Sequence, residues 1–177
     1  MITIQHKFLS HKVSNEAETL IIGTFNPDVK NNEADFYYGR SRNFLWQLLP
    51  IAYGENSLKG VSLKDKFNFI KTHKIDFIDL IAEIRVDEGQ ENNYDDPYID
   101  NKVTVWTDII AIINSLPNLK RVCFTRRTLN GIPNMAVKIN NIQAQCLSKK
   151  IKFECLLTPS RFYSEAKQME WSKFFNN

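Results

Sequence analysis

The stretch FYYGRSRNFLWQLL, residues 36–49, combines side chains suited to binding a flat, anionic ligand. Residues 36–42 hold three aromatic residues, one glycine and two arginines, and an apolar helical pattern follows at once. Aromatic faces stack on bases, and guanidinium groups pair with phosphates. The alternative is a packing corner, which is what we expect for Phe36 and Trp46. We interpret the remainder of the stretch as a pocket wall joined to the start of a helix.

Two shorter segments carry further polar groups beside a turn. In LIIGTFNPD, Gly23 permits a tight turn or a close approach, and Asn26 before Pro27 is restricted to extended backbone. Its carboxamide could orient a water molecule or bind a base edge. In TPSRFYS, residues 158–164, the Ser160 hydroxyl and nearby backbone amides could hold a phosphate. Taken alone, N-P-D is better explained as a simple turn, and TPSRFYS could be a strand-to-helix loop with a capping serine.

The sequence argues against metal and nucleotide-triphosphate chemistry. Its three cysteines form no C-x-x-C pair, and an odd number fits poorly with a disulfide framework. The histidines, aspartates and glutamates show no ligand spacing, and neither a P-loop nor a G-x-S-x-G motif occurs. The acidic segment 87–97, DEGQENNYDDP, lacks the pattern of a calcium loop, so we interpret it as a solvated loop. We therefore expect no metal and no cofactor.

Length and composition predict one globular domain spanning residues 1–177. Hydrophobic residues make up 43% of the chain and charged residues 24%, which excludes a disordered protein. The net charge of +3 is compatible with a polyanionic partner without demonstrating one. The N-terminus lacks the apolar core of a signal peptide, and no apolar run is long enough to span a membrane. We expect a cytoplasmic monomer that does not contact membranes.

Short apolar runs alternate with helical patterns along the chain, which predicts an α/β fold. The expected architecture is a three-layer α/β/α sandwich with a central four-stranded parallel sheet. The predicted strands are residues 19–24, 75–80, 121–125 and 153–158. The predicted helices are residues 42–52, 62–73, 103–115, 134–147 and 164–175.

The ends of these strands predict where a ligand should bind. In parallel sheets, ligands lie at the carboxyl ends of the strands. That rule selects the segments 23–28, 82–89, 125–131 and 158–164, and residues 36–49 should lie over the same edge. Arg126 and Arg127 fall in the third of these segments, where they could contact phosphates or be merely solvated.

Together, the segments GTFNPD, YYGRSRNFLW and TPSRFYS resemble the uracil-DNA glycosylase superfamily, and within it the mismatch-specific and hypoxanthine-DNA glycosylase branches. Members carry a glycine-led N-P-G-like or S-x-P-G-like motif after the first strand. A Y-Y-A-H-P-R-N-x-F-W-like stretch follows, with an (H/N)-P-S-like loop after the last strand. The order and separation agree, and the middle motif is the most specific of the three.

The resemblance implies a monofunctional DNA glycosylase that hydrolyses the N-glycosidic bond of a deaminated or mispaired base, of the uracil or hypoxanthine class, flipped from DNA. Asn26 takes the place of the water-positioning residue, and Asn43 that of the catalytic amide of the hypoxanthine branch. Tyr38 takes the place of the aromatic residue that stacks on the base. The implied substrate-binding residues are Gly23, Thr24, Phe25, Tyr38, Thr158 and Ser160. The implied DNA-binding residues are Arg40, Arg42, Arg126, Arg161 and Phe162, with damaged or mismatched DNA as the partner.

Departures from the motifs leave two alternatives open. Asp28 stands where the motif has glycine, Arg40 and Ser41 replace His-Pro, and Thr158 replaces histidine or asparagine. A threonine can donate a hydrogen bond but cannot stabilise a departing base anion as a histidine does. One alternative is therefore a protein that binds DNA without cleaving it. The other is a hydrolase or binding protein for free nucleobase compounds.

Overall fold

The computed structural model describes residues 1–176. Strands and helices are numbered here in chain order. They are β1 (Ile2–Gln5), β2 (Thr19–Gly23), α1 (Leu45–Ala52), α2 (Leu63–Thr72), β3 (Ile75–Asp79), β4 (Ile81–Val86), α3 (Asp96–Asp100), β5 (Val103–Trp106), α4 (Ile109–Ser115), β6 (Arg121–Phe124), α5 (Pro133–Ser148), β7 (Lys152–Cys155) and α6 (Glu165–Asn176).

A four-stranded, wholly parallel sheet forms the centre of the fold, in the order β3-β2-β6-β7. Ile21 of β2 lies opposite Phe77 of β3 and Cys123 of β6, and all three side chains are fully buried. Strands covered on both faces are mostly apolar, which is why the sequence showed them as short, mostly apolar runs. The four predicted strands and the α/β fold class are confirmed.

Alternate residues of the strands serve two separate cores. Leu20, Ile22 and Phe124 face one core, which contains the buried side chains of α4 and α5. Ile21, Phe77 and others face the second core, built from α1, α2 and α6. Because successive side chains of a strand point to opposite faces, the helices lie on both sides of the sheet. The predicted three-layer arrangement is confirmed.

A second sheet was missed. Strands β1, β4 and β5 form an antiparallel sheet in the order β1-β4-β5. The predicted helix 103–115 is wrong over its first turn, because residues 103–106 pair with β4 as a strand and Asp108 then caps α4 through the Ala111 amide. The segment 82–89, selected from the sequence as a ligand-binding segment that follows a strand, is mostly strand β4.

The start of α1 is anchored to the second core through Trp46. The indole Nε1–H donates to the Tyr37 carbonyl at 2.8 Å, and Phe36 and Trp46 are 4% and 2% exposed. The expected core packing of these two residues is confirmed. Burial of two large aromatic side chains fixes the chain on either side of residues 38–43, so that the intervening polar residues have a defined position.

Candidate active site

Gly23 closes β2 at the edge where the candidate residues meet. A Cβ atom at this position would lie 2.2 Å from Asp79 Oδ1 and 2.6 Å from the Tyr38 hydroxyl. Any side chain would therefore displace one or both groups. Glycine is required here because a carboxylate and a phenol approach the strand end closely.

The Tyr38 hydroxyl lies over the ends of β2 and β6. It is 3.0 Å from Thr125 Oγ1, and the Thr125 hydroxyl donates to the Ile22 carbonyl at 3.3 Å. Thr125 therefore accepts from the phenol. Burial, with the negative charge of Asp79 as a second cause, raises the pKa of Tyr38 well above its usual value. Strand order reverses between β2 and β6, and that position is where α/β sheets place their ligands.

Tyr38 holds a backbone conformation that non-glycine residues rarely adopt, with φ 58°. Such strain costs on the order of 1–3 kcal/mol and is concentrated at functional sites. Gly39 follows, and a Cβ there would lie 2.5 Å from Asp35 Oδ1. This compact turn directs the Tyr38 phenol toward Thr125 at the end of β6.

Asn26 is 7% exposed and is held by Asn32, which is also buried. Asn32 Nδ2 donates to Asn26 Oδ1 at 2.5 Å and to the Pro27 carbonyl at 2.7 Å. The Asn26 backbone is fixed as well, because its carbonyl accepts from the Lys7 amide at 2.7 Å. Asn26 therefore has a defined position immediately beyond β2.

Backbone hydrogen bonds join the segment before α1 to the segment after β7. Asn43 and Ser160 form an antiparallel bridge, in which the Arg161 amide donates to the Arg42 carbonyl at 2.9 Å. The Phe44 amide donates to the Pro159 carbonyl, also at 2.9 Å. Asn43 Oδ1 accepts from the Leu45 amide at 3.0 Å. Two of the three sequence motifs are therefore in direct contact.

The 158–162 turn is organised by its own hydroxyls and by one buried lysine. Thr158 Oγ1 and Ser160 Oγ are 2.8 Å apart. Lys167 Nζ donates to the carbonyls of Ser160 at 2.9 Å and Phe162 at 2.8 Å, and burial lowers its pKa. The turn presents Phe162, which is 59% exposed, and Arg161, whose φ is 76°.

The four candidate DNA-binding arginines differ in their contacts. Arg42 and Arg161 are exposed, and within residues 1–176 neither forms an ion pair. Arg40 lies 4.1 Å from the centre of the Tyr94 ring. Arg126 forms an ion pair with Asp96. Arg42 and Arg161 are thus the two available to phosphates without rearrangement.

Thr24 and Phe25 link the parallel sheet to the second sheet. The Thr24 carbonyl accepts from the Ile81 amide at 3.1 Å. The Phe25 ring lies 6.0 Å from the ring of His6. The Thr24 carbonyl is therefore engaged by the backbone of β4, and the Phe25 ring packs near His6.

A buried His6–Asp79 pair was missed by the sequence. His6 Nδ1 accepts from the Phe8 amide at 3.0 Å, so its proton is on Nε2, which donates to Asp79 Oδ2 at 2.8 Å. Asp79 ends β3 and touches the position of Gly23. No local pattern could reveal the pair, because 73 residues separate its members.

Two cavities lie beside the elements of the site. One of about 150 Å³ is lined by His6, Asp79 and Tyr37, among others. A second, of about 360 Å³, lies between β5, α4 and α5. Neither is lined by Asn26, Tyr38, Asn43 or Ser160.

Residues 1–176 contain no group of three or more histidine, cysteine, aspartate or glutamate side chains placed to hold a metal ion. Within the same range, every helix is too short or too polar to cross a bilayer.

Comparison with known proteins shows which solved structure has a similar fold. No protein-family model matches the chain, and no curated protein sequence does so either. A solved structure matches: the solution structure of a protein from Methanosarcina acetivorans that is provisionally assigned as a uracil DNA glycosylase. The two chains are 20% identical, the match covers 92% of this chain and 91% of the other, and the TM-score is 0.63. The similarity extends over nearly the whole of both chains.

Proposed function

We propose that this protein is a DNA glycosylase of the uracil-DNA glycosylase superfamily, acting on a deaminated base. The observation that carries the proposal is the pairing of Asn43 with Ser160, beside a strained Tyr38 at the ends of β2 and β6. Three motifs far apart in the sequence thus meet at one edge of a parallel sheet. The fold shared with the Methanosarcina acetivorans protein supports the proposal.

The groups at this edge suit hydrolysis of a glycosidic bond. A base within a duplex is out of reach and must be flipped out, at a cost of a few kcal/mol, which stacking and phosphate contacts offset. Bond cleavage then leaves positive charge on the sugar and negative charge on the departing base. A water molecule must add to the positively charged sugar carbon, and the departing base needs hydrogen-bond donors. The carboxamides of Asn26 and Asn43 and the Ser160 hydroxyl can orient that water and donate to the base.

The exposed groups of the two joined loops would contact the DNA strand. Arg42 and Arg161 are exposed and occupy adjacent backbone positions, since the Arg161 amide bonds the Arg42 carbonyl. Guanidinium groups there can pair with successive phosphates. Phe162 is the exposed apolar side chain that would fill the gap left by the extruded base.

The test is release of a base from duplex DNA. Purified protein in excess is incubated with duplexes containing uracil, hypoxanthine or xanthine, and abasic sites are cleaved with alkali. We expect strand scission on at least one duplex, and a loss of about 100-fold or more in Asn43→Ala with DNA binding largely retained. Asn101→Ala, on the exposed end of α3, is the matched control. Absence of scission on all three duplexes would exclude the activity.

One observation favours DNA binding without cleavage as the second candidate. Thr158 stands where a histidine would stabilise the departing base, and its hydroxyl is engaged by Ser160. This candidate predicts salt-dependent binding to DNA with no base release. In either case Arg161→Ala should reduce the dependence of log Kd on log salt by about one, as loss of one phosphate contact does. An unchanged dependence would exclude Arg161 as a phosphate contact.

A further inference from the structure

The larger of the two cavities lies on the face of the central sheet that is turned away from α1. Its volume is about 360 Å³, and Leu80, Ile109 and Ile142 give it a buried aliphatic floor. These three residues belong to the core that contains α4 and α5, whereas Tyr38 and Trp46 belong to the second core. None of the residues assigned to the candidate active site lines this cavity.

Polar and aromatic side chains complete the lining. Lys138 is followed on α5 by Asn141 and Ile142, at the i+3 and i+4 positions, so that all three share one face of the helix. Trp106, at the end of β5, and Asp108, at the start of α4, line the cavity from the neighbouring segment. Small-molecule sites of about 300–1,000 Å³ have this composition, with a mostly apolar lining and a few polar groups.

Lys138 supplies a positive charge that no acidic side chain neutralises. Its Nζ lies over the Trp106 ring, 5.3 Å from the ring centre. Within residues 1–176 Lys138 forms no ion pair, although Asp108 lines the same cavity. Asp108 Oδ1 instead accepts from the Ala111 amide at 3.0 Å and caps α4. The ammonium group is therefore available to an anion that enters the cavity.

The lining specifies both the charge and the shape of that anion. A carboxylate accepts charge-assisted hydrogen bonds from an ammonium group, and the exposed Asn141 amide adds a neutral donor. Asp108 contributes one negative charge, so that a dianion such as a phosphate monoester meets like-charge repulsion. An aromatic ring gains more from contact with Trp106 than an aliphatic ring of similar size does. The ligand that fits these groups is a small aromatic compound with one negative charge.

We propose that the cavity between β5, α4 and α5 is a second ligand site, which binds a small aromatic monocarboxylate. The carboxylate pairs with Lys138, and the ring packs against Trp106 above the aliphatic floor. No covalent bond is made or broken there, so this is a binding site and not a second catalytic centre. The proposal does not depend on the glycosylase activity, because the cavity shares no residue with the candidate active site.

The indole N–H signals in an NMR titration with benzoate test the site directly. The chain has three tryptophans, and of these Trp106 lines the cavity. Trp46 and Trp171 are buried and donate to the carbonyls of Tyr37 and Leu157, so their signals are internal controls. The Trp106 signal is assigned by its absence in Trp106→Phe. We expect it alone to shift and to saturate with benzoate. A Trp106 signal that does not move, or equal shifts of all three signals, would overturn the proposal.

Three compounds related to benzoate test the class of ligand. Benzamide keeps the shape without the charge, cyclohexanecarboxylate keeps the charge without the aromatic ring, and phenyl phosphate adds a second negative charge. We expect each to bind at least about threefold more weakly than benzoate, the size of one aromatic contact or one partly exposed charge pair. Equal binding of benzamide would overturn the role of the charge, and equal binding of cyclohexanecarboxylate that of the ring. Tighter binding of phenyl phosphate would overturn the assignment to a monocarboxylate.

The variant Lys138→Gln removes the cation and keeps most of the aliphatic stem. Its affinity for benzoate should fall about tenfold or more, because a hydrogen bond between charged groups is lost, whereas Lys138→Arg should retain most of the affinity. Lys149→Gln is the matched control. It removes the same charge at the C-terminal end of α5, where Lys149 Nζ donates to Asn114 at 3.3 Å, and should bind benzoate as the wild type does. Wild-type affinity in Lys138→Gln, or an equal loss in Lys149→Gln, would overturn the proposal.

Discussion

At the scale of single residues, the site depends on the absence of a side chain at Gly23. The Tyr38 phenol and the Asp79 carboxylate occupy the space where a Cβ would lie. The phenol hydroxyl bonds Thr125, and the carboxylate bonds His6. One small residue thus allows two polar groups from separate parts of the chain to meet at the end of β2.

Gly23→Ala should therefore destabilise the protein by about 1–3 kcal/mol, the usual cost of overpacking a buried position. The expected result is a lower urea midpoint at unchanged slope. Part of the loss should be recovered in the double variant Gly23→Ala/Tyr38→Phe, because the phenylalanine lacks the hydroxyl that the new methyl group meets at 2.6 Å. Additive effects of the two changes would contradict this account of the contact.

At the scale of elements, the acidic segment 87–97 contacts two arginines of the site. Tyr94 covers the Arg40 guanidinium, and Asp96 pairs with Arg126. The segment was interpreted from sequence as a solvated loop. Tyr94 is 40% exposed, but Asp96 and Pro97 belong to helix α3. Its contacts nevertheless engage two of the side chains proposed to bind DNA. Phosphates and the acidic segment would compete for the same cations.

Asp96→Asn should consequently strengthen DNA binding, since it releases Arg126 to a phosphate. We expect Kd to fall several-fold at low salt and the salt dependence of log Kd to rise by about one. Asp108→Asn, at the N-terminus of α4 and away from the arginines, serves as the control. Unchanged affinity in Asp96→Asn would show that Arg126 takes no part in binding.

The elements of the central sheet were predictable, and those of the second sheet were not. Buried parallel strands such as 19–23 are short, mostly apolar runs, which local sequence shows directly. Residues 103–106 adjoin the apolar pattern of α4, so that VTVWTDIIAIINS matched a single helix, and only pairing with β4 makes the first part a strand. Tertiary pairing, and not local sequence, makes residues 103–106 a strand.

The residues of the candidate site also fall into those that the sequence predicted and those that only the fold shows. Tyr38 and Asn43 were predicted from the sequence, because their motif is continuous. Asn32 and His6 were not, because each acts through a partner that only the fold supplies: Asn32 holds Asn26, and His6 bonds Asp79. Residues that hold a site residue in place through a hydrogen bond show no recognisable motif in the local sequence.

At the scale of the whole molecule, Glu18 joins three parts of the chain at the amino edge of the sheet. Its carboxylate accepts from Lys120 at 2.5 Å and Lys74 at 2.6 Å. These two hydrogen bonds, that of Lys120 first, lower the pKa of Glu18 to about 2. A depressed pKa means that the stabilisation is fully present above the unfolded value of 4.5 and is lost as pH falls toward 2.

The difference in unfolding midpoint between the wild type and Glu18→Gln should therefore be constant above about pH 5 and disappear near pH 2. Urea unfolding at a series of pH values measures it. High salt should reduce the difference at neutral pH, because both lysines are largely solvated. A difference that persists unchanged to the lowest pH would show that the carboxylate's charge is not its cause.

The thiols offer a measure of global opening. Cys123 and Cys146 are fully buried, and burial raises the pKa of Cys146 to about 11 and that of Cys123 above its usual range. We expect a thiol reagent at pH 8 to label these two only through unfolding, while the partly exposed Cys155 reacts sooner. Labelling of Cys155→Ser should then be slow and should accelerate in urea. Rapid labelling in the folded state would contradict the buried positions.

The pairing of residues 42–44 with 159–161 has a consequence for engineering. A chimera that imports only one of these loops would lack the hydrogen-bonding partner that the loop has in its own protein. The side chains of both loops would then shift. Transplants at this location should therefore exchange segments 36–46 and 158–164 together, because their backbones are hydrogen-bonded to each other.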